Sequence, residues 1–258
     1  MKWGIVALLA SGGWPLLLAW LANRRTTLRP ALGWSTTAWL AWLLTWATRA
    51  WDGEPARLGA YLGLCLTGCA SVAVLGARRP GLAAWNFVVL GLLAVLLLPV
   101  AEGWGQPRLD VRHLLFLGLT LAFGLTNYLP TRLAPAVLLL GSACGLELYG
   151  LGTRDTVPGW LRPTAGLCLG ASPWLAWLVR RRQGRESAVD RLWLAFRDRF
   201  GVVWSQRTRE QFNRAAANAG WSVSLAWDGL VRPETDGPSE EEVLATLRAL
   251  LKRFEREE

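Results

Sequence analysis

Two ionisable side chains beside or within apolar stretches of this sequence could do chemistry. Glu147 lies inside an apolar stretch near its end, and His113 stands directly before another one. An ionisable residue in lipid is costly and is a functional-site hypothesis by default. Histidine titrates near neutrality and an apolar environment keeps protons on carboxylates, so these residue types suit proton exchange.

Further charged residues lie on the same predicted side of the membrane as these two. The stretches that contain His113 and Glu147 should form a helical hairpin, which brings their outer ends together. The sequence therefore predicts an outward-facing polar pocket of five residues: Glu102, Asp110, Arg112, His113 and Glu147. The alternative is that Glu147 pairs with Arg112 or reaches the lipid headgroups, since it lies near an interface rather than at the bilayer centre.

Motifs of familiar enzymes do not occur in this sequence. It contains no P-loop, HExxH, GxSxG or dinucleotide-binding fingerprint, so we expect no enzyme of a familiar class. A single histidine excludes bis-histidine haem and three-histidine zinc sites. The four cysteines lack CxxC spacing, which favours packing over metal ligation, and we expect no cofactor and no metal.

The elements that must position these residues are apolar helices. Hydrophobic residues make up 52% of the chain and charged residues 18%. The apolar residues collect in stretches long enough to cross about 30 Å of hydrocarbon as helices, whereas lone strands would leave backbone groups unpaired in lipid. The pattern predicts an all-α polytopic membrane protein with a seven-transmembrane-helix bundle. Its predicted spans are 4–22, 31–48, 58–77, 81–101, 114–130, 133–151 and 164–179.

The basic residues indicate how the bundle is threaded. Ten Lys and Arg residues fall on one side of the predicted spans and seven on the other, and the richer side should be cytoplasmic. The N-terminus is then outside and the C-terminus inside a bacterial inner (plasma) membrane. The net charge of +9 follows from this insertion rule and from anionic lipid, so no nucleic-acid partner is expected.

A small α+β cytoplasmic domain is predicted to follow the bundle. The domains are 1–182, the transmembrane bundle, and 186–258, a helix-helix-strand-helix unit. The arginine run at 180–185 separates them as a stop-transfer cluster and could also hold anionic lipid. Gly201 should end the first helix and Ser239 should cap the last one. Residues 221–227 read as a strand, which pairs either with Leu230–Val231 or with another chain.

Two functions from different classes remain open. The first is a scaffold or regulator that presents its C-terminal domain to a protein partner or to a second copy. Four aromatic residues are the candidate partner-binding surface: Trp193, Phe196, Trp221 and Trp227. Burial in the domain's own small core is the alternative for such residues. The second function is a transporter or intramembrane enzyme that uses the outer polar pocket. In both cases the lipid bilayer is a partner.

Overall fold

The computed structural model describes residues 2–51, 57–78, 82–103, 109–153, 157–181, 187–232 and 237–255. Within these ranges the chain is almost entirely helical, so the predicted all-α character is confirmed. A bundle of seven helices comes first, and the part of the chain from Ser187 onward, which we call the C-terminal domain, follows. The predicted domain boundary at 182–186 lies outside the described residues.

Long apolar segments form the bundle. Its helices are α1 (Lys2–Asn23), α2 (Arg29–Trp51), α3 (Arg57–Ala73), α4 (Leu82–Glu102), α5 (Val111–Thr126), α6 (Ala134–Gly152) and α7 (Leu161–Arg181). A 3-10 turn, Val74–Gly76, extends α3. Among the described residues, four helical stretches are long and apolar enough to cross a membrane: Lys2–Asn23, Arg57–Gly76, Ala83–Glu102 and Ala134–Gly152.

Six of the helices close a ring. Contacts lead from α1 to α2, α3, α5, α6 and α7 and return from α7 to α1. α3 also touches α6 across the ring, and α4 packs against α3 from outside it. Much of the outer helical surface is apolar and exposed, for example at Leu44, Phe87 and Leu119, as expected where lipid is the solvent.

The C-terminal domain consists of helices and one short hairpin. Its elements are α8 (Ala188–Asn218), β1 (Ser224–Leu225), β2 (Leu230–Val231) and α9 (Glu240–Leu251). The strand predicted over 221–227 is limited to Ser224–Leu225, and it pairs within the chain, because Leu225 lies opposite Leu230 in an antiparallel hairpin. Ser239 caps α9 in a capping box with Glu242, as the sequence predicts.

Three chain reversals at one end of the bundle bind the C-terminal domain; we call this the docked end. Between α1 and α2, the Thr27 amide donates to the carbonyl of Phe254 over 3.0 Å. After α3, the carbonyl of Val74 accepts the indole N–H of Trp204 at 3.2 Å. The third reversal is the α5–α6 turn at Asn127. The domain is therefore fastened to the bundle at three separate points.

Asn127 fills a break in α8 at Gly201. Gly201 has φ +74° and ψ −171°, a conformation that is essentially restricted to glycine. The backbone carbonyl of Asn127 accepts the N–H of Val202 at 2.8 Å, and its side-chain oxygen accepts the N–H of Val203 at 3.1 Å. Its side-chain amide donates to the carbonyl of Phe200 over 3.3 Å. A residue of the bundle thus caps the second half of α8.

An aromatic cluster lies beneath these contacts. Phe254 packs edge-on against Phe196, Phe200 and Trp204, with ring centroids 4.8 to 5.5 Å apart. All four side chains are buried. Edge-to-face packing of this kind adds to the burial of apolar area. The cluster joins the first half of α8, its second half and the end of the chain in one core.

Candidate functional site

A buried ion pair crosses the ring at the end opposite the docked end, which we call the free end. Arg49 of α2 and Glu147 of α6 form a two-point contact, with N–O distances of 2.7 and 3.0 Å. Their side chains are only 7% and 6% exposed. Two parallel charge-assisted hydrogen bonds offset much of the cost of desolvating both groups. The carboxylate that the sequence marks as functional is therefore already neutralised by an arginine.

Further groups surround this pair. The guanidinium of Arg49 lies 5.0 Å from the ring centroid of Trp46, a cation–π contact. Arg57 donates to the backbone carbonyl of Leu151 at the end of α6 over 2.9 Å. Arg162 interacts electrostatically with both members of the pair. Three arginines thus lie around the carboxylate of Glu147, and the ion pair links α2 to α6.

The other members of the predicted outer pocket lie apart from Glu147. Asp110 caps α5, its carboxylate accepting the backbone N–H of His113 at 3.0 Å. This hydrogen bond lowers the pKa of Asp110. Glu102 and Arg112 are exposed. Within the described residues, no hydrogen bond or ion pair joins Glu147 to any of these four. The structure brings Asp110, Arg112 and His113 together, because both neighbours act on the carboxylate of Asp110.

The residue that does meet Glu147 was missing from the predicted pocket. Arg49 lies seven residues after Trp42 and three after Trp46, which places all three on one face of α2. Trp42 and Trp46 are buried. Because these tryptophans share a helix face with Arg49, the sequence could have indicated that the arginine is buried as well. Hairpin adjacency suggested α5 as the neighbour of Glu147, but the orientation of α6 turns that carboxylate toward α2.

A chamber of about 570 Å³ occupies the docked half of the ring. Residues of α1, α2, α3, α5, α6 and α7 form its mainly apolar walls, and α8 contributes to its mouth. Trp42 lies at its deep end, where the indole donates to the Thr67 hydroxyl over 3.1 Å. Along α7 the chamber runs from Leu169 to Arg181, about 18 Å at the helical rise per residue. Its volume is in the range of ordinary ligand pockets.

Charged side chains gather where α7 meets α8 at the chamber mouth. Arg180 and Arg181 of α7 and Asp198 and Arg199 of α8 line it. Arg181 stacks on Trp177, with its guanidinium 3.7 Å from the ring centroid. Burial, and then the charge of Arg180, lower the pKa of the Arg199 guanidinium. Two like charges, both on half-buried side chains, are therefore held close together at the mouth.

Three buried polar atoms that line the chamber lack a hydrogen-bond partner within the described part of the chain. They belong to Asn23 (Oδ1), Trp39 (Nε1) and Arg199 (Nε). The residue Asn23 is only 3% exposed. A native protein leaves few such atoms unsatisfied, and each one calls for an explanation. Three further such atoms lie elsewhere in the described residues, at Trp46, Arg49 and Ser205, so the chamber is singled out by the combination of these atoms with its volume and its charged mouth.

The predicted partner-binding aromatics face inward to different degrees. Trp193 and Phe196 are buried, and the indole of Trp193 donates to the carbonyl of Trp227 over 3.2 Å. Trp221 and Trp227 are half-buried. The indole of Trp227 donates to the carbonyl of Pro130 in the α5–α6 turn over 2.7 Å. These four residues hold the domain together and to the bundle in the docked arrangement.

Comparisons with known proteins add no further constraint on the site. No protein-family model, no curated protein and no solved structure matches this chain. In the described ranges, no cluster of three or more His, Cys, Asp or Glu side chains could hold a metal ion. The functional interpretation of the chamber and its mouth therefore rests on their geometry.

Proposed function

We propose that this chain is a multi-pass plasma-membrane protein that binds an apolar-chain ligand in the chamber and uses its docked C-terminal domain as a regulatory module. All seven bundle helices cross the membrane in this proposal, with the N-terminus outside and the C-terminal domain in the cytoplasm. The excess of Lys and Arg on the docked side supports that orientation. The exposed apolar side chains around the ring support lipid as its surroundings.

The observation that carries the proposal is that one chamber touches both parts of the molecule. Its walls belong to the bundle, while Asp198 and Arg199 at its mouth belong to α8. A ligand that contacts α8 only in the docked arrangement binds that arrangement better, and so shifts the equilibrium toward it. Loss of the ligand would then favour release of the domain.

Release of the domain would expose aromatic groups to a partner. Trp204 and Trp227 donate to carbonyls of the bundle only while the domain is docked. Tryptophan is enriched among residues that dominate protein–protein binding. A protein partner or a second copy of the chain would therefore meet these side chains in the ligand-free state.

Hydrogen exchange and native mass spectrometry test the proposal together. The protein is reconstituted in nanodiscs of phosphatidylethanolamine and phosphatidylglycerol and extracted, and its retained lipid is counted. Exchange at the amides of Val202 and Val203 then reports docking, since both donate to Asn127. We expect delipidation to speed this exchange and lipid addition to slow it again.

A matched pair of variants on α1 controls for the chamber. Ala19 lines the chamber, and Ala10 is exposed on the same helix. Ala19→Phe should abolish lipid retention and make the exchange insensitive to added lipid, whereas Ala10→Phe should behave as the wild type. Exchange that does not change on delipidation would overturn the regulatory role. Equal lipid retention by both variants would overturn the chamber as the binding site.

A further inference from the structure

The arginines at the chamber mouth lack the carboxylates that such groups normally require. Within the described residues, the guanidinium groups of Arg180 and Arg199 make no hydrogen bond or ion pair, and the Nε of Arg199 is buried without a partner. Charges removed from water are found paired, because an unpaired one is unfavourable. The described part of the chain therefore supplies no hydrogen-bonded counter-ion for these two guanidinium groups.

Asp198 cannot supply the missing charge for all of these groups. Its carboxylate already accepts from the Nε and Nη2 atoms of Arg197, both at 3.1 Å, and from the backbone N–H of Arg132 at 3.4 Å. Arg197 is fully engaged, since it also donates to the carbonyl of Trp227 over 2.9 Å. Asp228 also pairs with Arg197, at 3.4 Å, and Asp198 interacts electrostatically with Arg180. Positive charges still outnumber these two carboxylates among the described residues at the mouth.

The chamber behind these arginines fits one hydrocarbon chain. Its depth of about 18 Å along α7 is close to half the thickness of a bilayer's hydrocarbon core, about 15 Å. Its walls are mostly apolar, with Leu16, Leu32 and Leu140 among them. Near the mouth, the side-chain oxygen of Asn23 is available as an acceptor for a hydroxyl or a glycerol group.

We propose that the occupant of the chamber is an anionic membrane lipid with a phosphate-class headgroup. Arg180 and Arg199 bind its phosphate, and Arg181, which stacks on Trp177, borders the headgroup. One acyl chain of the lipid fills the chamber toward Trp42. This inference rests on the proposed function and adds the headgroup class to it. Guanidinium groups suit phosphate because they donate in a planar fork.

A lipid explains the site better than a free phosphate ion does. A free ion would satisfy the arginines but leave about 570 Å³ of apolar space unfilled. A neutral chain would fill that space but leave the arginines unpaired. Only an amphiphile meets both requirements, and in the proposed orientation the mouth faces the leaflet where anionic lipids carry a negative surface potential.

The test compares lipids that differ only in headgroup. The delipidated full chain is titrated with phosphatidylglycerol and with phosphatidylcholine of identical chains, and occupancy is read by native mass spectrometry. We expect one phosphatidylglycerol to bind at least about tenfold more tightly than phosphatidylcholine, because charge-assisted hydrogen bonds are the stronger class. Inorganic phosphate and glycerol phosphate, added as competitors, should displace it weakly or not at all.

Arginine variants localise the headgroup. Arg180→Gln and Arg199→Gln should each weaken phosphatidylglycerol binding about tenfold and leave phosphatidylcholine binding unchanged. Arg191→Gln on an exposed position of α8 should change neither. The comparison of the two lipids on the wild type requires no variant, so it decides the question even if a substitution impairs folding.

The outcomes separate this inference from the proposed function. Equal affinity for the two lipids, with both lost in Ala19→Phe, would overturn the headgroup assignment and leave the proposed function standing. Displacement by inorganic phosphate at the lipid's own affinity would show a soluble anion as the ligand and overturn the lipid. Phosphatidylglycerol binding that survives Ala19→Phe would be surface binding and would overturn the site. Absence of any bound lipid would overturn both proposals.

Discussion

The two ends of the bundle place arginine side chains in different surroundings. At the free end, Arg49 meets the carboxylate of Glu147 in a two-point contact with both side chains buried. At the docked end, Arg180 and Arg199 line an open chamber and share one carboxylate that is already engaged. The charge of Arg49 is neutralised by Glu147, although the Nε of Arg49, like that of Arg199, is buried without a partner. Among the described residues, no carboxylate is hydrogen-bonded to Arg180 or Arg199.

This difference separates a structural role from a binding role for the same residue type. A self-neutralised pair resists exchange with solvent or ligand, since removing either partner strands a buried charge. Binding of an anion lowers the free energy of unpaired guanidinium groups beside an apolar space. The carboxylate that stands out in the sequence therefore links two helices, and the proposed binding site lies at the other end of the bundle.

Breaking the free-end pair should have the largest effect. Glu147→Gln leaves the buried charge of Arg49 without a counter-charge, which should lower the free energy of unfolding by about 3–5 kcal/mol. Denaturant unfolding of the reconstituted protein measures this, with the exposed Glu102→Gln as a control that should stay within about 0.5 kcal/mol of the wild type. The double variant Arg49→Met with Glu147→Leu should recover much of the loss. Wild-type stability of Glu147→Gln would refute the fastening role.

Disturbing the cap at the docked end should come next. Gly201→Ala forces a side chain into a glycine-only conformation and against Asn127, which should cost about 1–3 kcal/mol. Gly220→Ala is the matched control, because Gly220 also has a positive φ, +70°, but a Cβ there meets open space. Hydrogen exchange in α8 should rise more for Gly201→Ala. Equal effects of the two substitutions would remove Asn127 from the explanation.

A smaller effect is expected from one hydrogen bond at the seam between domain and bundle. Trp204→Phe keeps an aromatic ring but removes the N–H that donates to Val74, at a cost of about 0.5–1.5 kcal/mol. Limited proteolysis between bundle and domain should detect the weakened docking. Trp221→Phe is the control, since its indole makes no hydrogen bond to the bundle among the described residues. Faster cleavage in the control than in Trp204→Phe would contradict the assignment.

The smallest expected effect is a pH dependence at the free end. The hydrogen bond from the His113 amide lowers the pKa of Asp110 in the folded state below its unfolded value. The cap's contribution to stability is therefore present above the unfolded pKa, about 4, and is lost as the pH falls through the folded pKa. Asp110→Asn should lose the acid-dependent part of this stability. A variant that kept the wild-type pH profile would contradict this origin.

Local features of the fold were predictable because they depend on neighbours in the sequence. The cap at Ser239 and the pairing of Leu225 with Leu230 each follow from residues within a few positions. Gly201 marks the break in α8 locally, whereas its cap comes from the distant Asn127. All-α character and apolar spans follow from composition. The number of spans and their direction across the membrane stay predictions, now carried by the proposed function.

The site was not predictable because it depends on how distant helices face one another. Arg49 and Glu147 are 98 positions apart in the chain, and the sequence alone does not predict how α6 is rotated about its axis to bring them together. The chamber is a space between helices, so no single residue marks it. The sequence predicts a lipid contact for the arginine run at 180–185. Arg199, which lies near Arg180, belongs to a domain that the sequence predicts to be separate from the bundle.

The cap on α8 also has a consequence for the order of assembly. Asn127 satisfies the amides of Val202 and Val203, so the second half of α8 is completed by a residue that precedes it by more than 70 positions. Synthesis proceeds from the N-terminus, and the turn that holds Asn127 is therefore made before α8 leaves the ribosome. The C-terminal domain therefore folds against helices that have already been synthesised. Newly made chains whose first six helices are misplaced should fail to fold this domain.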